Sequence, residues 1–255
     1  MAGLLRRVLI GGLAFVLPFA LVAAPSAAQD AEPAAPSGPL EVDVELVLAV
    51  DVSWSMDTGE QLIQRQGYAA AFRDETVVRA MTGGYHRRVA VTYLEWASET
   101  AQRQTVPWML IESPEDAEAF AQAIENASPA SARGTSISAA LATAANLIET
   151  NDYAGNKRVI DISGDGQNIS GPPVTPVRDW VAQKGIIING LPLMLRPFEA
   201  GDLGKYYEDN VIAGFGAFVI RVEDVGTLAS SIRSKLILEI ASVPWAQESE
   251  RASLE

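Results

Sequence analysis

The chain has 255 residues and a formal charge of -13, from 19 Lys and Arg against 32 Asp and Glu. That length fits one ordinary α/β domain or two small ones, the 48% hydrophobic share excludes wholesale disorder and coiled coil, and the acidic balance argues against nucleic acid or an anionic membrane surface as partner. With no Cys and a single His, His86, disulfides, thiolate zinc sites, a catalytic Cys and a multi-histidine centre are excluded, so any chemistry must run on oxygen.

The chain opens Met-Ala-Gly-Leu-Leu-Arg-Arg and runs apolar from Val8 to Ala24, with Ser26 and Ala28 at the -3 and -1 positions of a signal-peptidase site. A basic start, an apolar middle and a small-residue exit predict a secretory signal peptide over residues 1–28. The apolar stretch is long enough to be read instead as an uncleaved anchor, but Pro18 and the small residues favour cleavage. The lack of Cys rules out a lipid anchor. Cleavage removes Arg6 and Arg7 and no acid, leaving a more acidic chain expected to be exported, periplasmic or secreted, and free of the membrane. Residues 29–39, of Ala, Pro, Ser and acid, read as a flexible linker. Residues 40–242 form the domain, and 243–255, with Pro244 and a polar run, a frayed tail.

Leu40–Val50 becomes continuously apolar from Leu46, the pattern of a strand buried on both faces. Glu60–Phe72 suits a helix with Leu62, Ala69 and Phe72 on one side, and Glu75–Met81 a second, short one. Strands follow at Arg88–Trp96 and Arg103–Leu110. About six residues separate them, too few for a parallel crossover, so the pair is expected as an antiparallel hairpin. Pro107 makes its second strand an edge. Pro114–Ala127 is a helix capped by Ser113, with Ala117, Phe120, Ala121 and Ile124 as its buried stripe. Ser136–Thr150 is another, with Ile137, Leu141, Ala144, Ala145 and Ile148 at helical spacing. Arg158–Ser163 is a short buried strand, Thr175–Lys184 a helix and Ile186–Ile188 a strand. Leu203–Ile212 is a short helix, Ala217–Val222 a sixth strand, and Val225–Ala241 a closing helix with Leu228, Ile232 and Leu236 inward. This alternation predicts an α/β fold: a doubly wound, mostly parallel six-stranded sheet with one antiparallel edge strand and helices on both faces.

Ligands of such sheets bind beyond the carboxyl ends of the strands, where strand order reverses. The first strand ends in Asp51-Val52-Ser53-Trp54-Ser55, an acid followed by two hydroxyls at alternate positions. Arg158–Ser163 ends in Gly164-Asp165-Gly166, and Gly134-Thr135 sets another hydroxyl before a helix. If the two strands are neighbours, Asp51, Ser53, Ser55, Thr135 and Asp165 converge. Alone, each piece reads as a turn or a cap; together they form an all-oxygen set with two negative charges. Such a set suits a hard divalent cation, best Mg2+, which accepts few protein ligands and several waters.

Asp51-x-Ser53-x-Ser55, Thr135 and Asp165-Gly166 together resemble the metal-ion-dependent adhesion site of von Willebrand factor A domains, and the span from Glu41 to Ser242 resembles that fold. The lines Leu-Ala-Val-Asp-Val-Ser, Ile-Asp-Ile-Ser-Gly-Asp-Gly and Asn-Val-Ile-Ala-Gly-Phe-Gly-Ala-Phe resemble an exported bacterial subfamily of unassigned function. The resemblance implies a Mg2+ or Mn2+ site with Ser53, Ser55 and Thr135 as direct ligands and Asp51 and Asp165 as direct or water-linked ones. It also implies a protein partner that offers an Asp or Glu carboxylate. Trp54 departs from the small or polar residue usual there. Packing against the neighbouring loop is its preferred reading and contact with a partner the alternative, while Phe215 and Trp180 are expected in the core.

Gly164-Asp165-Gly166-Gln167-Asn168 also resembles the acidic metal loop of phosphohydrolases of the haloacid dehalogenase type. Those enzymes need a second acid where this chain has Ser53, and a lysine at the functional end, whereas Lys157 precedes the strand. A serine hydrolase would need His86, which lies in a turn at the wrong end of the sheet and is expected to be exposed. Gly214-Phe215-Gly216 precedes a strand, so dinucleotide binding fails. The sequons at Asn126 and Asn168 are read as chance. The sequence therefore points to a binding module rather than an enzyme, with a scaffold carrying a vestigial site as a further alternative.

Overall fold

The computed structural model describes residues 38–195 and 202–241. The expected signal peptide, the linker up to residue 37 and the tail lie outside the described residues. Strand β1 (Leu40–Asp51) is the axis of the domain, buried almost throughout. It pairs in parallel with β2 (Val89–Trp96) on one side and β4 (Tyr153–Gly164) on the other. β3 (Gln102–Ile111) adds to β2 antiparallel, and β5 (Ile187–Pro192) to β4 in parallel. The order is β3-β2-β1-β4-β5.

Alternation along β1 divides the core in two. Val44, Leu46, Leu48 and Val50 face one cluster. That cluster is covered by α1 (Thr58–Phe72), α2 (Glu75–Thr82), α3 (Pro114–Asn126) and α7 (Val225–Ala241). Val47 and Ala49 face the other, under α4 (Ile137–Glu149), α5 (Val174–Gln183) and α6 (Leu203–Tyr206), which runs on as a π-helical turn, Tyr207–Val211. Asp57, Ser113 and Ser136 cap α1, α3 and α4, each accepting a backbone N–H of the first turn. Of the face expected on α1, Ala69 and Phe72 are buried, whereas Leu62 is 55% exposed. Among the described residues no helix is long and apolar enough to cross a membrane.

The sheet has five strands rather than the expected six. Ala217–Val222 does lie along β5, but only as isolated bridges, Gly190 to Val219 and Leu193 to Val222. Gly190 N–H donates to Phe218 O and Ile220 N–H to Gly190 O; further on, Val222 N–H donates to Pro192 O. The rung between them would require an N–H on Pro192, which proline lacks, so the ladder breaks there. β4 also starts well before Arg158, because Tyr153–Val159 lies alongside Leu40–Leu46. In β3, Pro107 and Trp108 stand opposite Thr92 at a register shift, and the Thr92 hydroxyl donates to Val106 O at 2.7 Å.

One polar cluster crosses the first core. The Lys235 ammonium on α7 is fully buried, 2.6 Å from Asp161 on β4 and paired with Glu239. Asn189 donates to Glu239, and Tyr68 leans on Asp161 and Ser163, whose hydroxyl also accepts from Gln64 at 2.8 Å. Two carboxylates share one ammonium, so full ionisation leaves an excess negative charge in the core. Burial, then the Asp161 charge, pushes the Glu239 carboxyl above its ordinary range, and burial does the same to Asp161.

Removing the ammonium strands both acids. Lys235→Met is expected to cost about 3–5 kcal/mol in urea unfolding. A raised folded-state pKa means that the unfolded chain releases its proton first as pH rises, so stability falls with pH above the ordinary carboxylate range. Unfolding midpoints measured between about pH 5 and about pH 8 should therefore decline less in Glu239→Gln than in the wild type. An identical slope in both would show that Glu239 titrates normally.

Candidate metal centre

The register of β1 on β4 pairs Val50 with Ser163, so Asp51 and the Gly164-Asp165-Gly166 turn leave the sheet side by side. Asp51 is wholly buried, and its Oδ1 accepts the Ser53 N–H at 2.7 Å. The Ser53 and Ser55 hydroxyls are 2.8 Å apart, and Ser55 Oγ donates to Asp165 Oδ1 at 2.6 Å. Four of the five residues singled out in the sequence thus form one hydrogen-bonded chain.

Thr135 arrives from the other side. Gly134 has φ 97°, in the left-handed region that glycine tolerates, and turns the chain into Thr135. The Thr135 carbonyl accepts Ile169 N–H at 2.9 Å and Ser170 N–H at 3.1 Å, clamping this loop to the one that follows Asp165. A Cβ on Gly166 would stand 3.9 Å from Thr135 Oγ1, which puts the hydroxyl beside the acidic turn. Asn168 completes the join: its Oδ1 accepts Ser138 N–H in the first turn of α4, and its Nδ2 donates to Pro172 O. The sequon amide is therefore already engaged.

Asp51 Oδ2 is buried with no hydrogen-bond partner. Burial pushes the carboxyl up to about 7 despite the bonds from Ser53, and the Asp165 charge pushes it the same way. A buried carboxylate with an orphaned oxygen is costly unless a positive charge offsets it. The two acids and three hydroxyls therefore fit a small hard cation, and the donor set contains no nitrogen or sulfur. Among the described residues no group of three acids or histidines gathers, so such an ion would rely on hydroxyls. Gly164 gives the acid its room: a Cβ there would stand 2.8 Å from Asp51 Oδ2 and 3.0 Å from the Tyr207 hydroxyl. Tyr207, buried on the π-helical turn, was not evident as a site residue. Only the unusual turn that presents it could have marked it.

Other expectations change. Trp54 does not bury itself against the neighbouring loop; it is 62% exposed, with the Arg133 guanidinium 4.9 Å from its ring centre. Phe215 and Trp180 are not core residues either, at 92% and 44% exposed. Their loop and helix surface leave the rings outside both clusters. His86 lies before β2, at the opposite end of the sheet from Asp51, and is not exposed as expected: its side chain is mostly buried and its backbone N–H donates to Asp43. Lys157 is inside β4 and donates to Glu239 O, away from Asp51.

This architecture is shared with solved structures. Proximal thread matrix protein 1 from the mussel byssus is 13% identical with a TM-score of 0.57, over 80% of this chain and 49% of that one. A von Willebrand factor type A protein from Catenulispora acidiphila is 17% identical with a TM-score of 0.54, over 78% and 43%. The pilus adhesin SpaC from Lactobacillus rhamnosus GG is 14% identical with a TM-score of 0.58, over 80% and 32%. The mussel protein is also described with a zinc-occupied MIDAS motif. At these identities the likeness is one of fold alone, and that fold is von Willebrand factor A-like. The chain spans less than half the length of each of these structures. No curated protein matches the sequence. Residues 41–244 match the family described as "protein of unknown function (DUF1194)", and the chain belongs to that family.

The two glycines of the acidic turn separate space from chemistry. Gly164→Ala is expected to lower stability by about 1–3 kcal/mol, because its Cβ has no room beside Asp51. Gly166→Ala, whose Cβ meets Thr135 only at ordinary distance, should cost under about 1 kcal/mol. Urea midpoints of the two variants check the contrast, and equal losses would contradict it.

Proposed function

We propose that this chain is an exported protein-binding module of the von Willebrand factor A type. Asp51, Ser53, Ser55, Thr135 and Asp165 would hold a divalent cation, Mg2+ or Mn2+. Bound largely by neutral hydroxyls, such an ion keeps most of its charge and offers a position to an Asp or Glu carboxylate of a partner protein. The observation that carries this reading is the orphaned, buried Asp51 Oδ2 at the head of a hydrogen-bonded line that runs through Ser53 and Ser55 to Asp165. The zinc-occupied motif of the mussel protein supports a divalent site in this fold. Signal-like residues 1–28 support export, and the domain proper is residues 40–242.

The chain's own residues do three things here. Ser53 N–H and Gly164 fix the Asp51 carboxylate. Ser55 couples the first loop to Asp165, and the Thr135 carbonyl locks the remaining loop in place. On this reading the role is binding, and Ser53 counts against the phosphohydrolase alternative of the haloacid dehalogenase type, which would need an acid at that position.

Thermal unfolding of the purified protein with Mg2+ or Mn2+ tests this. At about a hundred times the dissociation constant, a site filled only in the folded state adds about 2.7 kcal/mol, a rise of about 5–10 °C. Asp51→Ala and Thr135→Ala should abolish the rise. A wild type that neither binds nor is stabilised by either metal overturns the reading.

A further inference from the structure

We propose that Trp54 and Arg133 form a second recognition element beside the candidate metal centre, and that together they select a partner segment carrying two nearby carboxylates. One carboxylate would occupy the position offered at the oxygen cluster. The other would pair with the Arg133 guanidinium where it lies over the Trp54 ring. This rests on the carboxylate-binding role proposed above and adds what the partner must carry beyond a single acid.

The two residues are placed together by backbone. Trp54 N–H donates to Ala132 O at 3.0 Å and Ala132 N–H to Val52 O at 3.3 Å, a parallel bridge that joins the two loops. The second loop is itself anchored from below. Arg65 and Arg103 both end on buried Glu95 while donating to Ala127 O and Ser128 O. Trp54 therefore sits between Ser53 and Ser55 with its ring turned out of the cluster, and Arg133 is two residues from Thr135.

The charge pattern says what it would meet. Among the described residues, Arg65, Arg73, Arg88, Arg103, Arg178, Arg221 and Arg233 end on carboxylates, whereas Arg79 on α2, Arg87 before β2, Arg158 within β4 and Arg133 do not; of these four, Arg133 is the one two residues from Thr135. Arg133 is exposed, and among the described residues its recorded partner is the Trp54 ring alone. In a chain of formal charge -13, a guanidinium without a carboxylate, held beside a site for acids, complements a second acid. Its planar fork accepts a carboxylate on two parallel bonds while the ring supports its face. Trp and Arg are also the residue types that carry the largest share of binding at interfaces.

The test uses the full-length protein in Mg2+ with two glycine-flanked peptides, one bearing four consecutive Glu and one bearing a single Glu followed by three Gln. Arg133→Gln is expected to weaken the tetraglutamate peptide about 10-fold and to leave the single-Glu peptide within about 2-fold. Arg133→Lys should recover part of the loss. Trp54→Ala should weaken the tetraglutamate peptide in the same direction. If Arg133→Gln leaves both peptides unchanged, or weakens both equally, this inference is overturned while metal-dependent binding still supports the role above. Binding of both peptides that survives EDTA or Asp51→Ala, or binding of neither, overturns that role and this inference with it.

Discussion

The parallel pairing of β1 with β4 is the constraint on which the rest depends. Because Val50 is opposite Ser163, the two acids leave the sheet from adjacent strand ends, and no loop rearrangement is needed to bring them together. A register slip would carry every inward side chain to the wrong face. β1 therefore has to bury both faces: its run from Leu46 to Val50 is apolar throughout, and the buried acids before it, Asp43 and Glu45, accept the backbone N–H groups of His86 and Gly155. The same run that makes the core also places the cluster of oxygens.

Much of this can be read along the chain, because the relevant signals are local. Ser113 and Ser136 announce their helices, the α3 and α4 stripes recur at helical spacing, and a short β2–β3 connection permits only an antiparallel pair. What escapes such reading depends on partners distant in sequence. Tyr153–Lys157 is polar and looks like a loop, yet it extends β4 because Leu40–Val44 lies beside it and Glu45 accepts the Gly155 N–H. Ala217–Val222 has a strand's composition, and a proline in another segment denies it a continuous ladder. The five candidate residues could be named because each lies at or just past a strand end or just before a helix. Tyr207 and the Trp54–Arg133 contact could not, since a distant helix and a loop-to-loop bridge create them.

Buried acids are managed in two ways within this domain. Glu95 and Asp161 are nearly fully buried beside cations, from Arg65 and Arg103 in one case and Lys235 in the other. Asp51, equally buried, has only N–H and hydroxyl neighbours and a charged acid across from it. That contrast within one chain separates acids that hold the fold together from an acid kept in tension. Ser163 lies between the two regimes, accepting from Gln64 one residue before Gly164.

The two prolines that interrupt pairing have a consequence for how the domain meets other chains. Pro107 falls at a bulge in β3, and Pro192 splits the cover along β5. An extended peptide adding to either side of the sheet would meet a missing donor and a kinked path. Strand addition, a common route both to peptide capture and to aggregation, is thus discouraged at both margins.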